Sequence, residues 1–209
     1  MKTMKTVALI LGFWGSGNLV AQTIIGADSR KWIAYNCKAD FSGDSIHLIN
    51  TSGKTALYWV KDINFKNGTI ELDIKGKDVS GESFVGVAFH GIDSETYDAI
   101  YFRPFNFRNL ERKDRAVQYI AKPAHDWDLL REKHPRKYEH AIVPDTDPNR
   151  WFHVKIVILY PSIKVYVNGS TESTLEVEQI SKRKGGLLGL WVDSADGWFK
   201  NVTITDKLK

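Results

Sequence analysis

Residues 68 to 75 read Gly-Thr-Ile-Glu-Leu-Asp-Ile-Lys, residues 83 to 90 read Ser-Phe-Val-Gly-Val-Ala-Phe-His, and residues 96 to 103 read Thr-Tyr-Asp-Ala-Ile-Tyr-Phe-Arg. In the first run Ile70, Leu72 and Ile74 alternate with Glu71 and Asp73, the period of a strand that buries one face and wets the other. All three are rich in β-branched and aromatic residues and are bounded by Gly, Asp, Asn or Ser. Further runs at 55 to 60, 115 to 121, 151 to 159, 162 to 168, 174 to 178, 186 to 193 and 198 to 205 share that character. Pro161-Ser162 marks a tight connection, and Asn168-Gly169 is a pair suited to the positive φ of a hairpin turn. Short strands at regular spacing without intervening helical periods predict an all-β fold, an antiparallel two-sheet sandwich.

One stretch breaks the rhythm. Between 122 and 150 the spacing is too long for a plain turn, and Asp126 is placed to cap a short helix running through Lys133 until Pro135 ends it. Loops of this length in a compact domain are usually functional. With Trp127, Arg131, His134 and Tyr138 interleaved along it, this insert is expected to form a rim over a binding face.

The opening residues carry a different signal. Lys2 and Lys5 precede an apolar run from Val7 to Leu11, extended by Phe13 and Trp14, and Ala21 supplies a small residue at a cleavage point. This is the shape of a signal peptide over residues 1 to 21, with one domain over 22 to 209. A membrane span needs about 20 apolar residues in a row, which this leader lacks. Export to a periplasm, a cell surface or the medium is therefore expected. The single cysteine, Cys37, rules out an intrachain disulfide, so stability has to come from packing.

The formal charge is +4, of which Lys2 and Lys5 belong to the leader. From Arg103 to Lys137, ten Lys or Arg face five Asp or Glu, a local excess of five positive charges. Such a field suits an anionic sugar, although a long solvated loop has the same composition. Nucleic acid is disfavoured as a partner, since the chain has a leader and no nucleic-acid-binding motif.

Several segments together carry a family resemblance. They are Asn67 to Ile74, Phe84 to His90, Tyr97 to Phe107, Trp151 to Ile156, the Val-Tyr-Val-Asn-Gly of Val165 to Gly169, and the Gly-Leu-Leu-Gly-Leu-Trp-Val of Gly186 to Val192. In that order they resemble the concanavalin A-like lectin/glucanase superfamily, above all the laminin-G-like and glycoside-hydrolase-associated domains of exported bacterial proteins. The resemblance implies a jelly roll with a concave sheet face, and functions from carbohydrate binding to glycoside hydrolysis or polysaccharide cleavage, with a structural cell-surface domain as the remaining alternative. Its glucanase branch uses a Glu-x-Asp-x-x-Glu strand; here Glu71 and Asp73 match, but Gly76 occupies the position of the third acid. The retaining mechanism of two carboxylates is therefore not carried over.

The densest polar and aromatic block runs from His90 to Gln118. Tyr97, Ala99, Tyr101 and Arg103 share one strand face, and His90 and Gln118 are expected beside them. Flat rings under the C–H faces of a sugar and planar hydrogen-bonding groups on its hydroxyls are what a glycan requires. The candidate ligand-binding set is accordingly His90, Tyr101, Arg103, Asn106, Gln118, Trp59 and Trp127. Arg103, followed by Pro104, must find partners for five donors, in a carboxylate or in a ligand. No catalytic residue is assigned; Asp98 and Glu139 are the acids considered for a pair through space. The histidines lack zinc-ligand spacing, so no catalytic metal is expected. A structural calcium is the one cofactor considered, at Asp145, Asp147 and Asn149, which alternate in a loop without the Gly and Glu of an EF-hand.

Overall fold

The computed structural model describes residues 22–206; the proposed leader lies outside them. In chain order the strands are β1 (Gln22–Ile25), β2 (Trp32–Tyr35), β3 (Cys37–Ser42), β4 (Ser45–Asn50), β5 (Ala56–Val60), β6 (Gly68–Lys75), β7 (Ser83–Gly91), β8 (Asp98–Phe102) and β9 (Val117–Ala121). Helix α1 (Trp127–Lys133) follows, then β10 (Glu139–His140), β11 (Phe152–Leu159), β12 (Ser162–Val167), β13 (Leu175–Glu178), β14 (Leu187–Ser194) and β15 (Asp196–Asp206). They form two antiparallel sheets. The first runs β13-β12-β11-β6-β15-β4-β3, and the second runs β10-β9-β8-β7-β14-β5-β2. Along one edge of β15, β4 pairs with residues 196–199 and β1 with 202–205.

The alternation read from the sequence is what joins the sheets. On β6, Ile70, Leu72 and Ile74 are buried while Glu71 and Asp73 face solvent. Val154, Ile156 and Ile158 of β11 lie on the same inner layer, opposite Val85, Val87, Ile100 and Phe102 of the second sheet. Phe102 meets Phe152 edge-on across the gap, with ring centroids 5.2 Å apart. Each large aliphatic side chain buried here is worth roughly 1.5–3 kcal/mol, so a core of this extent supports the domain without a disulfide. Cys37 is free, and its thiol donates to the Leu57 carbonyl.

Turn chemistry fixes the register of the hairpins. Leu159 pairs with Ser162, leaving Tyr160 and Pro161 as a two-residue turn between β11 and β12. Asn168 and Gly169 both take positive φ, at 50° and 72°, at the end of β12. The insert after β9 does not extend either sheet beyond the two residues of β10. It folds back across the outer face of the second sheet, carrying α1.

Candidate functional site

The site is built on one transverse row of the second sheet. Leu57, Trp191, Gly86, Tyr101, Gln118 and Glu139 stand in register across β5, β14, β7, β8, β9 and β10. Because their strand neighbours Val85, Val87, Ile100, Phe102 and Val117 face the core, this row faces outward, under the insert. Tyr101 and Trp191 flank Gly86, and their rings stack with centroids 4.6 Å apart. Trp191 donates its indole N–H to the hydroxyl of Tyr97 at 3.2 Å.

Arg103 follows β8, where Pro104 turns the chain away from the sheet. Its Nη2 donates to the Tyr101 hydroxyl at 2.6 Å, and its Nη1 donates to the Arg115 carbonyl at 3.0 Å. Two longer bonds, of 3.4 and 3.5 Å, reach Gln118 Oε1. The Gln118 amide is oriented by its own donations to the Tyr119 and Tyr138 carbonyls, which leaves Oε1 for the guanidinium. Arg103 is only 5% exposed and has no carboxylate partner among the described residues. Burial accordingly pulls its pKa down from the usual guanidinium value. Beside it, Asn106 donates Nδ2 to the same Arg115 carbonyl at 3.1 Å, while its buried Oδ1 has no donor.

The roof is the insert. Asp126 caps α1 by accepting from the Trp127 N–H at 2.8 Å, and it also accepts from Lys122 Nζ at 2.5 Å. Leu130 is the buried residue of the helix. Arg131 reaches from α1 to Glu139 of β10 through Nε at 2.9 Å and Nη2 at 2.6 Å, a bidentate pair that ties the helix to the sheet edge. The Arg131 guanidinium lies 4.8 Å over the Trp127 ring.

Floor and roof enclose a cleft of about 480 Å³, inside the range that holds a small-molecule or oligosaccharide ligand. Its cations are Arg103, Arg112, Arg115, Lys122 and Arg131, against the acids Asp126 and Asp193. Both acids are engaged, Asp126 by Lys122 and Asp193 by the Thr55 hydroxyl at 3.0 Å. The cleft is therefore net positive and lined by aromatic rings.

The sequence-named residues fall into three groups. Tyr101, Arg103, Asn106 and Trp127 all line the cleft. Gln118 lies below it, 1% exposed and bonded to Arg103, and Trp59 is 5% exposed, edge-on to Tyr97 at 6.1 Å and away from the opening. His90 is elsewhere. Its φ of 48° breaks the alternation of β7, beside an irregular register between β7 and β14. The imidazole Nε2 instead meets the Lys66 carbonyl at 2.6 Å, with the ring between Phe65 and Phe89.

The two acids considered for catalysis are also committed. Asp98 is fully buried and faces inward, bonded to Tyr119, Ser181 and Arg183. Glu139 is held by Arg131. In the calcium candidate loop, Asp145 pairs with Arg108 at 2.9 Å and Asp147 accepts from the Asn149 N–H. Among the described residues no group of three or more His, Cys, Asp or Glu is arranged to hold a metal ion. Trp191, Phe84 and Asp193 line the cleft without having been singled out in the sequence. The alternation of Trp191 with Leu190 and Val192 marks an outward side chain, but only cross-strand register places it against Tyr101.

Known structures share this architecture. The carbohydrate binding module CBM66 from Bacillus subtilis is 17% identical, covering 84% of this chain and 96% of its own, with a TM-score of 0.60. The exoplasmic/lumenal domain of VIP36, in its Ca²⁺/Man3GlcNAc-bound form, is 10% identical, with coverages of 90% and 88% and a TM-score of 0.58. The β-glucanase of Bacillus licheniformis is 14% identical, with coverages of 93% and 96% and a TM-score of 0.54. These likenesses fix the fold as a concanavalin A-like jelly roll. No curated protein matches this chain in sequence. A family model does match, over residues 21–205 and so over both sheets and the insert that roofs the cleft: the chain belongs to the 3-keto-alpha-glucoside-1,2-lyase-like domain family.

Proposed function

We propose that this domain binds a carbohydrate in the cleft between the second sheet and α1, and that the cationic lining favours an anionic glycan. The observation that carries the reading is the Tyr101–Trp191 stack next to Arg103, a guanidinium buried without a carboxylate beneath an exposed Trp127. An apolar floor with a few convergent polar groups is the usual make-up of a small-ligand site. The family and the carbohydrate-binding folds it resembles support the same class of ligand. Tyr101, Arg103, Asn106 and Trp127 are the contacts, with Gln118 positioning Arg103; Trp59 supports the floor through Tyr97, and His90 has no part in it. A glycan-array screen followed by calorimetric titration tests the proposal. Binding that is lost in Trp127→Ala supports it, and an array on which no glycan binds refutes it.

The family description favours a second reading, elimination across C1–C2 of a 3-keto glucoside. A C3 ketone acidifies the C2 hydrogen. A base removes that proton, its electron pair forms the C1=C2 bond, and the C1–O bond breaks to release the aglycone, which is protonated to an alcohol. Asp126 or Asp193 is of the right type for the base, and Tyr101 with Arg103 for donors to the ketone oxygen. Incubation with a 3-keto glucoside, followed by ultraviolet detection of the conjugated enone, separates cleavage from binding.

The leader over residues 1 to 21 is proposed to export the domain of residues 22 to 209. Among the described residues no helix is long and apolar enough to cross a membrane. Sequencing the N-terminus of protein recovered outside the cytoplasm, with a start at or near Gln22 expected, tests this.

A further inference from the structure

Resting on the glycan-binding reading, we infer that the end of the cleft at Arg103, Tyr101 and Asn106 is a uronate subsite, which takes the carboxylate of a uronic acid together with the hydroxyl next to it.

Three independent features of the same corner lead there. The first is charge. Arg103 is 5% exposed, and its hydrogen bonds go to one hydroxyl, one backbone carbonyl and one amide oxygen, all neutral. A buried cation without a counter-charge is costly to keep, and an anion delivered to it recovers that cost. Arg112 and Arg115 also line the cleft and repeat the sign, and the acid that attracts Arg103 from β10, Glu139, is already held bidentately by Arg131.

The second is donor supply. Tyr101 accepts from Arg103, and its own hydroxyl proton has no acceptor among the described residues. Arg103 Nε likewise makes no hydrogen bond among them, and its two bonds to Gln118 are long enough, at 3.4 and 3.5 Å, to be exchanged for a ligand oxygen. Burial holds the Tyr101 phenol above its usual pKa, so it stays a donor. A carboxylate offers two oxygens that match the fork of a guanidinium bidentately.

The third is a single acceptor. Asn106 Nδ2 is fixed on the Arg115 carbonyl, so the amide cannot flip, and Oδ1 is buried without a donor. An unsatisfied buried acceptor of this kind calls for a donor from the ligand. Arg103 and Asn106 share the Arg115 carbonyl, so the anion-binding and donor-requiring positions are adjacent. In a pyranuronate the C5 carboxylate and the C4 hydroxyl are adjacent in the same way. A neutral hexose would satisfy Asn106 and leave Arg103 uncompensated; a sulfate ester would satisfy Arg103 with a tetrahedral group.

The test is calorimetric titration of the full chain with glucuronate, galacturonate, mannuronate and guluronate trisaccharides. Carboxyl-reduced counterparts and a sulfated neutral trisaccharide complete the panel. At least one uronate is expected to bind 30-fold or more tighter than its reduced form. Arg103→Met, which removes a buried charge and keeps an unbranched apolar stem, is expected to stay folded by circular dichroism and to bring that ratio within threefold. Arg103→Gln is the second variant should methionine disturb the fold. Asn106→Asp is expected to weaken uronate at least tenfold by placing a like charge against the ligand. Equal binding of acid and reduced forms, an unchanged ratio in both Arg103 variants, or a sulfated sugar binding as well as the uronates overturns the subsite and leaves glycan binding standing. If no saccharide, charged or neutral, binds the wild type here or on the array, the glycan-binding reading itself falls.

Discussion

Replacing Gly86 by alanine tests whether fold and site share one structural element. Gly86 lies between Trp191 and Tyr101 in the central row, and an ideal Cβ there would penetrate the Ile100 carbonyl oxygen and stand 2.6 and 2.7 Å from Cα and Cβ of Tyr101. None of these is the free end of a flexible side chain, so β7 and β8 must separate or twist. Overpacking of this sort costs about 1–3 kcal/mol. In a domain of this size each kcal/mol lowers Tm by roughly 2–4 °C, so Gly86→Ala is expected to melt roughly 2–12 °C below wild type. Because β8 carries both Tyr101 and Arg103, its displacement also opens the stack and moves the guanidinium, so glycan affinity should fall with stability. Thermal melts by circular dichroism and calorimetric titration of the best array ligand measure both effects. Gly26→Ala is the control: nothing stands within 4 Å of an added Cβ there, and its stability should stay within about 0.5 kcal/mol of wild type. If Gly86→Ala melts within a degree of wild type and binds as well, the close approach of the strands beneath the Tyr101–Trp191 stack is not as described.

Three further outcomes are expected. Asp98→Asn removes the charge that Arg183 and Tyr119 hold inside the sandwich and should cost about 3 kcal/mol in urea unfolding; a loss below 0.5 kcal/mol would mean the pair contributes only as a surface bridge does. Trp127→Ala should weaken glycan binding at least tenfold while leaving Tm within a few degrees, because the ring is 44% exposed. Burial holds the His90 pKa below the ordinary histidine value. The unfolded chain therefore binds this proton first, and stability that is complete above about pH 6.5 is lost as pH falls toward the folded-state pKa, with a limiting slope of about 1.4 kcal/mol per pH unit. His90→Asn, which tolerates the φ of 48°, should flatten the denaturation midpoint between pH 6.5 and 5; an unchanged slope would refute the assignment.

Ten of the fifteen strands were legible in the sequence because each alternates along its length or is bounded by turn residues, as β6, β11 and β12 show in their burial. The five that were not have identifiable physical reasons. In β2 and β3, Ile33, Ala34, Tyr35 and Phe41 are exposed, since each strand lies at one edge of its sheet and buries too little to leave a period. Likewise β1 buries only Ile25, β4 alternates only over Ile46 to Leu48 before Ile49 breaks the period, and β10 is two residues recruited by pairing with β9. The helix was legible to the residue, because a cap followed by a short apolar face is local chemistry. Within one strand the facing was legible too: period two placed Tyr101 and Arg103 on one face, and both line the cleft. His90 shows where that arithmetic fails: a single left-handed residue at the strand end turns the side chain out of the cleft, and positive φ is too uncommon, even for a residue type enriched there, for one histidine to announce it. Trp191 shows the other limit, since its place beside Tyr101 depends on which strands pair.

Of the ten cations from Arg103 to Lys137, Lys113, Lys133, Arg136 and Lys137 are exposed on the surface, and the other six fall into two groups. Arg108, Lys122 and Arg131 are each neutralised by a named acid, Asp145, Asp126 and Glu139, and the second and third of those pairs anchor the start and the body of α1. Arg112 donates to the Ser80 hydroxyl, and Arg115 offers its backbone carbonyl to both Arg103 and Asn106. Among the described residues Arg103, Arg112 and Arg115, on the segment between β8 and β9, thus have no carboxylate partner, and the most buried of the three is the one that shares Arg115's carbonyl with an unsatisfied acceptor. A solvated loop would place such charges outward, where water compensates them at little cost. Holding one of them inward, between a stacked aromatic pair and a roof fixed by its own ion pairs, concentrates the field inside the cleft in a low-dielectric setting, where a single incoming anion interacts most strongly.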